Sequence, residues 1–285
     1  ILLDKSFSPY AVSLIDWGVV QSTHHTYKYV NQTGMFVMGT TLETRDVVLE
    51  GWVIAENEDD MNYRKRFLNR FVSPRQLMRI DYKGYYLTFI PSTSVHYATS
   101  ENENNDRFAK FEISGVAFDP IFKSSEGKRI FAANTVPLFH FPLIIKDVED
   151  EEPHGIVFGV RKPSVAFDVN NYGDIEVGMK ITLTAKGTLE NPKVTNVDTL
   201  EYFKINKTLS AGEQVVINTS IGEKSVYGFN GGVKSNYFTY KDTGSTWLQL
   251  ALGKNTFVYS ADSGIDNLEV EINFNYNYLE VQECY

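Results

Sequence analysis

The sequence predicts a mostly β protein, with an N-terminal β-rich domain that holds one α-helix and a C-terminal β-sandwich. Aromatic residues are abundant, with 17 Tyr and 19 Phe among 285 residues, and aromatic rings suit the pleated surface of a sheet. Helical spacing of apolar residues is convincing in one segment alone. After about residue 136, short β-rich runs alternate with Gly and Asn turns, which is typical of a sandwich. We therefore predict domains at residues 1–135 and 136–285.

The predicted helix runs from about residue 58 to 72, and Asn57 or Asp59 could cap it. Apolar residues at i, i+4 and i+8 predict its buried stripe, and Pro74 prevents its continuation. We interpret it as a helix that covers a sheet, because two aspartates precede its basic run; the alternative is a basic helix for a membrane or nucleic acid. The stripe consists of Tyr63, Phe67 and Phe71, widened by Leu68 and Val72.

Strand patterns lie on both sides of this helix. Residues 47–54 form a β-rich run, and residues 76–82 and 85–90 flank a two-residue turn at Lys83-Gly84. A wholly polar stretch at 100–106 precedes the alternating run 107–113, which predicts a long hairpin with a solvated tip. Such a tip is usually just a loop, but it could grip a neighbouring subunit; the candidate contact residues are Glu101, Glu103 and Arg107.

Charge and cysteine usage restrict the class of protein. The net charge is −9, and the basic stripe that marks a nucleic-acid binder is missing from the sequence. The acidity indicates either simple solubility or a surface past which DNA slides without sticking. Cys284 is the single cysteine, so no intrachain disulfide can form, which fits a reducing cytoplasm. Neither a secretory signal nor a run of roughly 18 apolar residues is present, so we predict no membrane span.

Motifs for chemistry are missing from the sequence. His24 and His25 would face opposite sides of a strand and could not chelate one metal together. The calcium-loop pattern that begins at Asp168 fails at its fifth and twelfth positions, which are Tyr172 and Met179. We found neither a nucleophile elbow nor a phosphate-cradling loop. The sequence therefore predicts no catalytic, cofactor-binding or metal-binding residues and no enzyme.

Two tryptophans allow a different interpretation. Trp52 and Trp247 could be platforms for sugars, but each lies in an apolar run, so core packing is favoured. A carbohydrate-binding module is therefore the alternative to a structural role. A glycoside hydrolase is a third and weaker alternative, because nothing singles out a pair of carboxylates among the many present.

The second half resembles the C-terminal domain of siphophage distal tail proteins. An Asn-x-Gly-Asp turn, a Leu-x-x-Gly-Glu step into a strand and a Gly-x-Asn turn occur in the order expected for that family. Leu252 stands where the family usually has Pro, which leaves the last turn intact. The segments that carry the resemblance are residues 170–176, 181–187, 209–217 and 245–257.

The first half resembles the N-terminal domain of the same family. Strands precede an Arg-rich helix, a Leu-Met-Arg-Ile-Asp-Tyr-x-Gly-Tyr-Tyr hairpin follows at 77–86, and a strand ends at Asp119-Pro120. Residues 138–143 resemble the start of the family's second domain. The resemblance thus covers nearly the whole chain.

The resemblance implies a structural role. Proteins of this family form hexameric rings through the N-terminal domain, while a galectin-like C-terminal sandwich points outward. The ring joins the tail tube protein to the tail tip, where a tail-associated lysin or receptor-binding protein follows, and DNA passes through it. The expected location is the virion tail, assembled in the bacterial host cytoplasm without cofactors, membrane or sequence-specific nucleic acid. The sequence shows no insertion as large as the carbohydrate-binding module of some relatives.

Overall fold

The computed structural model describes residues 9–31, 33–137, 159–163 and 166–281. The chain forms two compact units: unit 1 is Ile1–Ser125 with Tyr278–Tyr285, and unit 2 is Glu126–Asn277. The units divide after Ser125, ten residues before the predicted boundary at 135/136. Residues 278–285, which were predicted in the second domain, belong to unit 1. The extents of the independently folding domains stay a prediction.

Strands dominate both units, which confirms the predicted mostly β class, and the described residues contain one α-helix. Unit 1 holds the following elements in chain order: β1 (Tyr10–Asp16), β2 (Ser22–Tyr27), β3 (Phe36–Leu42), β4 (Arg45–Ile54), α1 (Glu58–Phe71), β5 (Met78–Tyr82), β6 (Tyr85–Pro91), β7 (His96–Tyr97), β8 (Phe108–Ala117) and β9 (Phe122–Ser124).

The main sheet of unit 1 forms around β4 and β8, which pair antiparallel from Arg45↔Ala117 to Ile54↔Phe108. Along β4 every second residue is buried, as expected for a strand with one face on a core. The strands run in the order β1-β4-β8-β6-β9, with β5 paired to β6 and β7 paired to β8. The core includes Val47, Leu49, Val53, Leu87, Phe89, Phe111 and Ile113.

Helix α1 begins and ends where the sequence predicts. The side chain of Asn57 accepts a hydrogen bond from the Asp60 N–H at 3.0 Å, and this cap satisfies one of the free donors of the first turn. The predicted buried side is confirmed at Leu68 and Val72 and was wrong for the other three residues. The buried residues are Met61 and Leu68, with Val72 just after the helix, whereas the predicted stripe of Tyr63, Phe67 and Phe71 is exposed.

Two predicted hairpins of unit 1 are confirmed. Strands β5 and β6 pair from Met78↔Phe89 to Tyr82↔Tyr85. The turn residues Lys83 and Gly84 both have positive φ, at 48° and 85°, as a tight hairpin turn of this type requires. Strands β7 and β8 pair at His96↔Glu112 and Tyr97↔Phe111, so the polar stretch 100–106 forms the tip of the second hairpin.

Unit 2 contains short strands and two 3-10 turns at Phe238–Tyr240 and Ile265–Asn267. Its strands in chain order are β10 (Lys128–Phe131), β11 (Ala133–Pro137), β12 (Gly159–Pro163), β13 (Ala166–Asn171), β14 (Val177–Gly178), β15 (Lys180–Ala185), β16 (Leu189–Glu190), β17 (Lys193–Asn196), β18 (Tyr202–Lys204), β19 (Thr208–Leu209), β20 (Gln214–Asn218), β21 (Ser225–Asn230), β22 (Val233–Asn236), β23 (Gln249–Leu250), β24 (Gly253–Ser260), β25 (Leu268–Phe274) and β26 (Asn277–Tyr278), which ends in unit 1.

Two sheets of unit 2 enclose one core, which confirms the predicted sandwich. One sheet has the order β10-β25-β15-β20-β21-β22, and the other has β13-β24-β17-β18. Along strand β15 every second residue is buried. The core contains residues from both sheets, such as Leu183, Val215, Val194 and Phe257. Alternation of this kind places one face of each sheet on the shared core.

The Leu-x-x-Gly-Glu segment at residues 209–213 leads directly into β20, and the side chain of Glu213 holds it in place. This side chain is 1% exposed. Its carboxylate accepts hydrogen bonds from Lys207 Nζ at 2.7 Å, the Ser210 N–H at 3.0 Å and the Tyr237 hydroxyl at 2.7 Å. Burial raises the pKa of the Glu213 carboxyl, but these donors outweigh burial and hold the pKa below its usual value. The motif is therefore structural.

Three features of the sequence lie outside the described residues. They are the stretch 138–143 that resembles the start of the family's second domain, the acidic stretch 147–152 and Cys284.

Candidate assembly surfaces

The β2–β3 hairpin is the most exposed apolar surface of unit 1. Every described residue from Ser22 to Leu42 is exposed, including Val30 at 92% and Met38 at 77%. Contiguous exposed apolar residues mark interaction sites, and aromatic residues and Met are enriched in protein interfaces. The exposed apolar side chains are Tyr27, Tyr29, Val30, Met35, Phe36, Val37, Met38 and Leu42.

This hairpin is ordered by contacts within itself. Strands β2 and β3 pair from Ser22↔Leu42 to Tyr27↔Phe36 and belong to a two-stranded sheet. His24 and His25 bond to different threonines, Thr40 at 2.9 Å and Thr41 at 3.1 Å, so the two imidazoles do not converge. No other described strand pairs with the hairpin, and an isolated hairpin is only marginally stable in water. Its open edges and apolar side chains therefore suit a partner.

This hairpin was not predicted from the sequence. A signal was present, because the run Met35-Phe36-Val37-Met38 is apolar and β-prone and follows Gly34. The run lacks the alternation of a strand that packs one face on its own core. In the fold no such core lies beneath it, which explains why the pattern does not alternate.

The three predicted contact residues lie on the tip between β7 and β8. Glu101 and Arg107 are exposed and Glu103 is half-buried. The tip is held by the side chain of Asn105, which accepts from the Arg107 N–H at 3.0 Å, and by Lys65 of α1, which donates to Asn104 at 2.6 Å. The structure thus brings these residues to one ordered tip. Their role in a subunit contact stays a prediction.

Helix α1 presents a second apolar surface, which we call the α1 aromatic face: Tyr63, Phe67 and Phe71. Beside it a cavity of about 250 Å³ is lined by the first two of these residues together with Pro9, Tyr10, Asp60 and Arg64. The floor of the cavity is fixed, because Tyr10 donates to the Arg64 carbonyl at 3.0 Å and Arg64 pairs with Asp60 at 2.7 Å. The hydrogen bond from Arg64 holds the pKa of Asp60 below its usual value.

Arg45 is a buried cation that no sequence pattern predicted. It starts β4, directly after the β2–β3 hairpin, and it is 0% exposed. Its guanidinium donates to the Leu279 carbonyl and to the Glu280 carboxylate, and it lies 4.6 Å from the centre of the Phe122 ring. Within the described residues its Nε has no hydrogen-bond partner. The last described residues of the chain thus neutralise a charge at the base of the hairpin.

The tryptophans considered as sugar platforms are both half-buried. Trp247 packs against the core of unit 2 and lies 5.3 Å from Phe203, measured between ring centres. Its other neighbour, Phe238, is 6.1 Å away and is exposed on the surface. These contacts are those of a residue that packs on a core, which was the favoured interpretation.

Metal sites and membrane-spanning helices are absent from the described residues. Among the residues that the structure describes, no three His, Cys, Asp or Glu side chains come close enough to share a metal ion. In the same part of the chain no helix combines the length and the apolar character that crossing a bilayer requires.

Comparison with known families gives two matches. Residues 172–278 match the model of the siphovirus-type tail component C-terminal domain. Residues 9–139 match the model of the phage tail protein RIFT-related domain. Together the two models span most of the chain, in the order in which its two halves occur. None of the curated proteins matches this chain.

Solved structures share the fold at low sequence identity. The crystal structure of the Dit protein of phage SPP1, described as a paradigm of hub adsorption apparatus in Gram-positive infecting phages, is similar with a TM-score of 0.64 and 12% identity, over 94% of this chain and 93% of that one. A chain of the phage P2 baseplate in its activated conformation with Ca is similar with a TM-score of 0.49 and 11% identity, over 93% and 90%.

Proposed function

Because the chain belongs to the siphophage distal tail protein family, we propose that six copies form a ring that joins the tail tube to the tail tip. As a phage tail component the protein is part of the virion tail. The partners that we propose are the tail tube protein on one side and a tail-associated lysin or receptor-binding protein on the other. Assembly takes place in the host cytoplasm and involves no catalytic turnover.

The β2–β3 hairpin is the observation that carries this proposal. In a monomer the two-stranded arm leaves eight large apolar side chains in contact with water. In a ring the next subunit can bury them. A head-to-tail interface closes into a ring when its rotation closes, and each subunit then both donates and accepts an arm. The hub apparatus named for the SPP1 structure agrees with this role.

Charge supports passage of DNA through the ring. The chain carries −9 at neutral pH. A basic lining would bind phosphates through counterion release and would slow a moving duplex. An acidic chain lacks that general attraction, which agrees with a ring through which DNA passes.

Size-exclusion chromatography with light scattering tests the ring against its alternative. We expect a species with six times the 32.4 kDa mass of the chain. A monomer at all concentrations, combined with glycan binding that is lost in Trp247→Ala, would favour the carbohydrate-binding module. We rank that alternative lower because Trp247 packs on the core of unit 2.

The β7–β8 tip is a second contact that we propose for the ring. Shortening the tip by removing residues 101–106, with Arg107→Ala, is expected to leave the sheet of unit 1 intact, because these residues lie outside β7 and β8 and the bond from Lys65 to Asn104 is the contact with α1 that is lost. The ring should dissociate at a concentration roughly tenfold higher, the effect of about 1.4 kcal/mol. Native mass spectrometry measures the change, and an unchanged dissociation concentration would refute the contact.

A further inference from the structure

The α1 aromatic face lacks an occupant in the described part of the chain. Tyr63 is 69% exposed, and Phe67 and Phe71 are about half exposed at 45% and 46%. Their spacing of four residues places them along one side of α1. Three neighbouring aromatic rings on one side of a helix, next to a cavity, form a surface that a partner can cover.

Charges along α1 are divided between its two ends. At its N-terminal end the exposed Asp59 lies four residues before Tyr63, and therefore on the same side of the helix. Exposed arginines lie towards its C-terminal end, at Arg66 and Arg70. An apolar occupant that crosses this face should therefore carry a positive charge at one end and a negative charge at the other.

The β2–β3 hairpin has this distribution of charge. Lys28 lies near its tip and Glu43 lies at its base, and both are exposed. Between them, the residues of β3 from Phe36 to Leu42 carry no charged side chain. The two surfaces are therefore complementary if the tip lies over the N-terminal end of α1 and the base lies over its C-terminal end.

The lengths of the two elements also agree. Helix α1 has 14 residues, or about 21 Å at about 1.5 Å per residue. Strand β3 has 7 residues, or about 24 Å at about 3.4 Å per residue. Met sulfur packs favourably against aromatic rings, and Met35 and Met38 both lie on the exposed hairpin. The arginine side chains can in addition donate hydrogen bonds to carbonyls on an open strand edge.

We propose that the α1 aromatic face of each copy receives the β2–β3 hairpin of the next copy, with the hairpin tip over the acidic end of the helix. This interface is heterologous, since it joins two different surfaces of the same chain, and it repeats around a ring. The inference rests on the proposed ring and adds the identity and direction of its main contact.

Cross-linking between differently tagged copies tests the contact. In a Cys284→Ser background, one chain carries Val30→Cys and the other carries Asp59→Cys, and the two are co-expressed and treated with a short bismaleimide. We expect a linked species that contains both tags. The matched control pairs Val30→Cys with Arg70→Cys, at the opposite end of α1, and should link at least tenfold less.

Charge exchange provides an independent variant. Lys28→Glu places like charges at the acidic end of α1. We expect the concentration at which half of the chains are in rings to be about fivefold higher than for the wild type, which corresponds to about 1 kcal/mol. Asp59→Lys in the same chain should restore the original value, because Asp59 lies four residues before Tyr63 and therefore on the same side of the helix. Lys224→Glu, an exposed lysine of unit 2, is the control and should have no effect.

The outcomes separate this inference from the proposed function. The hairpin-on-helix contact is overturned if rings form normally, the two cross-linking pairs link equally and the double variant shows no rescue. The proposed ring is unaffected by that result. A wild-type chain that never assembles overturns both.

Discussion

A variant in which Phe36, Val37 and Met38 are all replaced by threonine is expected to fold normally and to lose the ring. These side chains are exposed, so their replacement removes no contact with the core of unit 1. Threonine is β-branched and keeps the β propensity of the strand. In an assembled ring the same three positions would be buried, and their truncation would then remove apolar contacts from every interface.

The expected effect is large. Central residues of interfaces commonly cost about 2 kcal/mol or more on truncation, which is a factor of about 30 in affinity. Three such changes should prevent assembly at micromolar concentration. Light scattering measures the mass, and circular dichroism checks that the fold is kept.

The matched control makes the same kind of change on unit 2. Ile221→Thr, Val233→Thr and Leu252→Thr replace three residues that are 80%, 66% and 56% exposed. This variant should assemble as the wild type does. If the hairpin variant also keeps the mass of the wild type, the hairpin is not the arm that holds the ring.

Arg45→Ala is expected to destabilise unit 1 by about 3 to 5 kcal/mol, because it removes a large buried side chain with its hydrogen bonds and leaves a cavity. The Leu279 carbonyl would lose its donor, and the Phe122 ring would lose the cation that covers it. Arg45→Met fills much of the same volume without a charge, and we expect its loss of stability to be smaller. Glu280→Gln, whose side chain is 62% exposed, should cost less than Arg45→Ala.

Tryptophan fluorescence can report on unit 1 in urea. Trp17 lies 5.2 Å from Phe122, measured between ring centres, so its emission should follow loss of this packing. A Trp247→Phe background removes the tryptophan of unit 2 and leaves Trp17 and Trp52, both in unit 1. An unchanged unfolding midpoint for Arg45→Ala would contradict the structural role of the buried guanidinium.

The ends of α1 were predictable from sequence, whereas its buried side was predictable only at Leu68 and Val72. Asn57 and Pro74 fix the ends through local chemistry, which acts within a few residues of the chain. The buried side depends on which surface lies beneath the helix. The most regular apolar spacing, at Tyr63, Phe67 and Phe71, predicted a stripe on a core, but in the fold these side chains are exposed. Sequence periodicity shows that a surface is apolar, and does not show which chain covers it.

The sandwich of unit 2 was predictable because its strands bury side chains on their own core. The β-prone run at Gln214–Asn218 matches β20, along which buried residues alternate with exposed or half-buried ones. The β2–β3 hairpin and Arg45 were missed for the opposite reason. The hairpin has no core of its own, and Arg45 contacts residues 279 and 280, which are too distant in sequence for any local pattern to pair them.

Electron microscopy of the wild-type chain tests the ring most directly. We expect class averages with six-fold symmetry and a central opening wide enough for duplex DNA. Single separate particles at every concentration, also in the presence of the tail tube and tail tip proteins, would contradict the account.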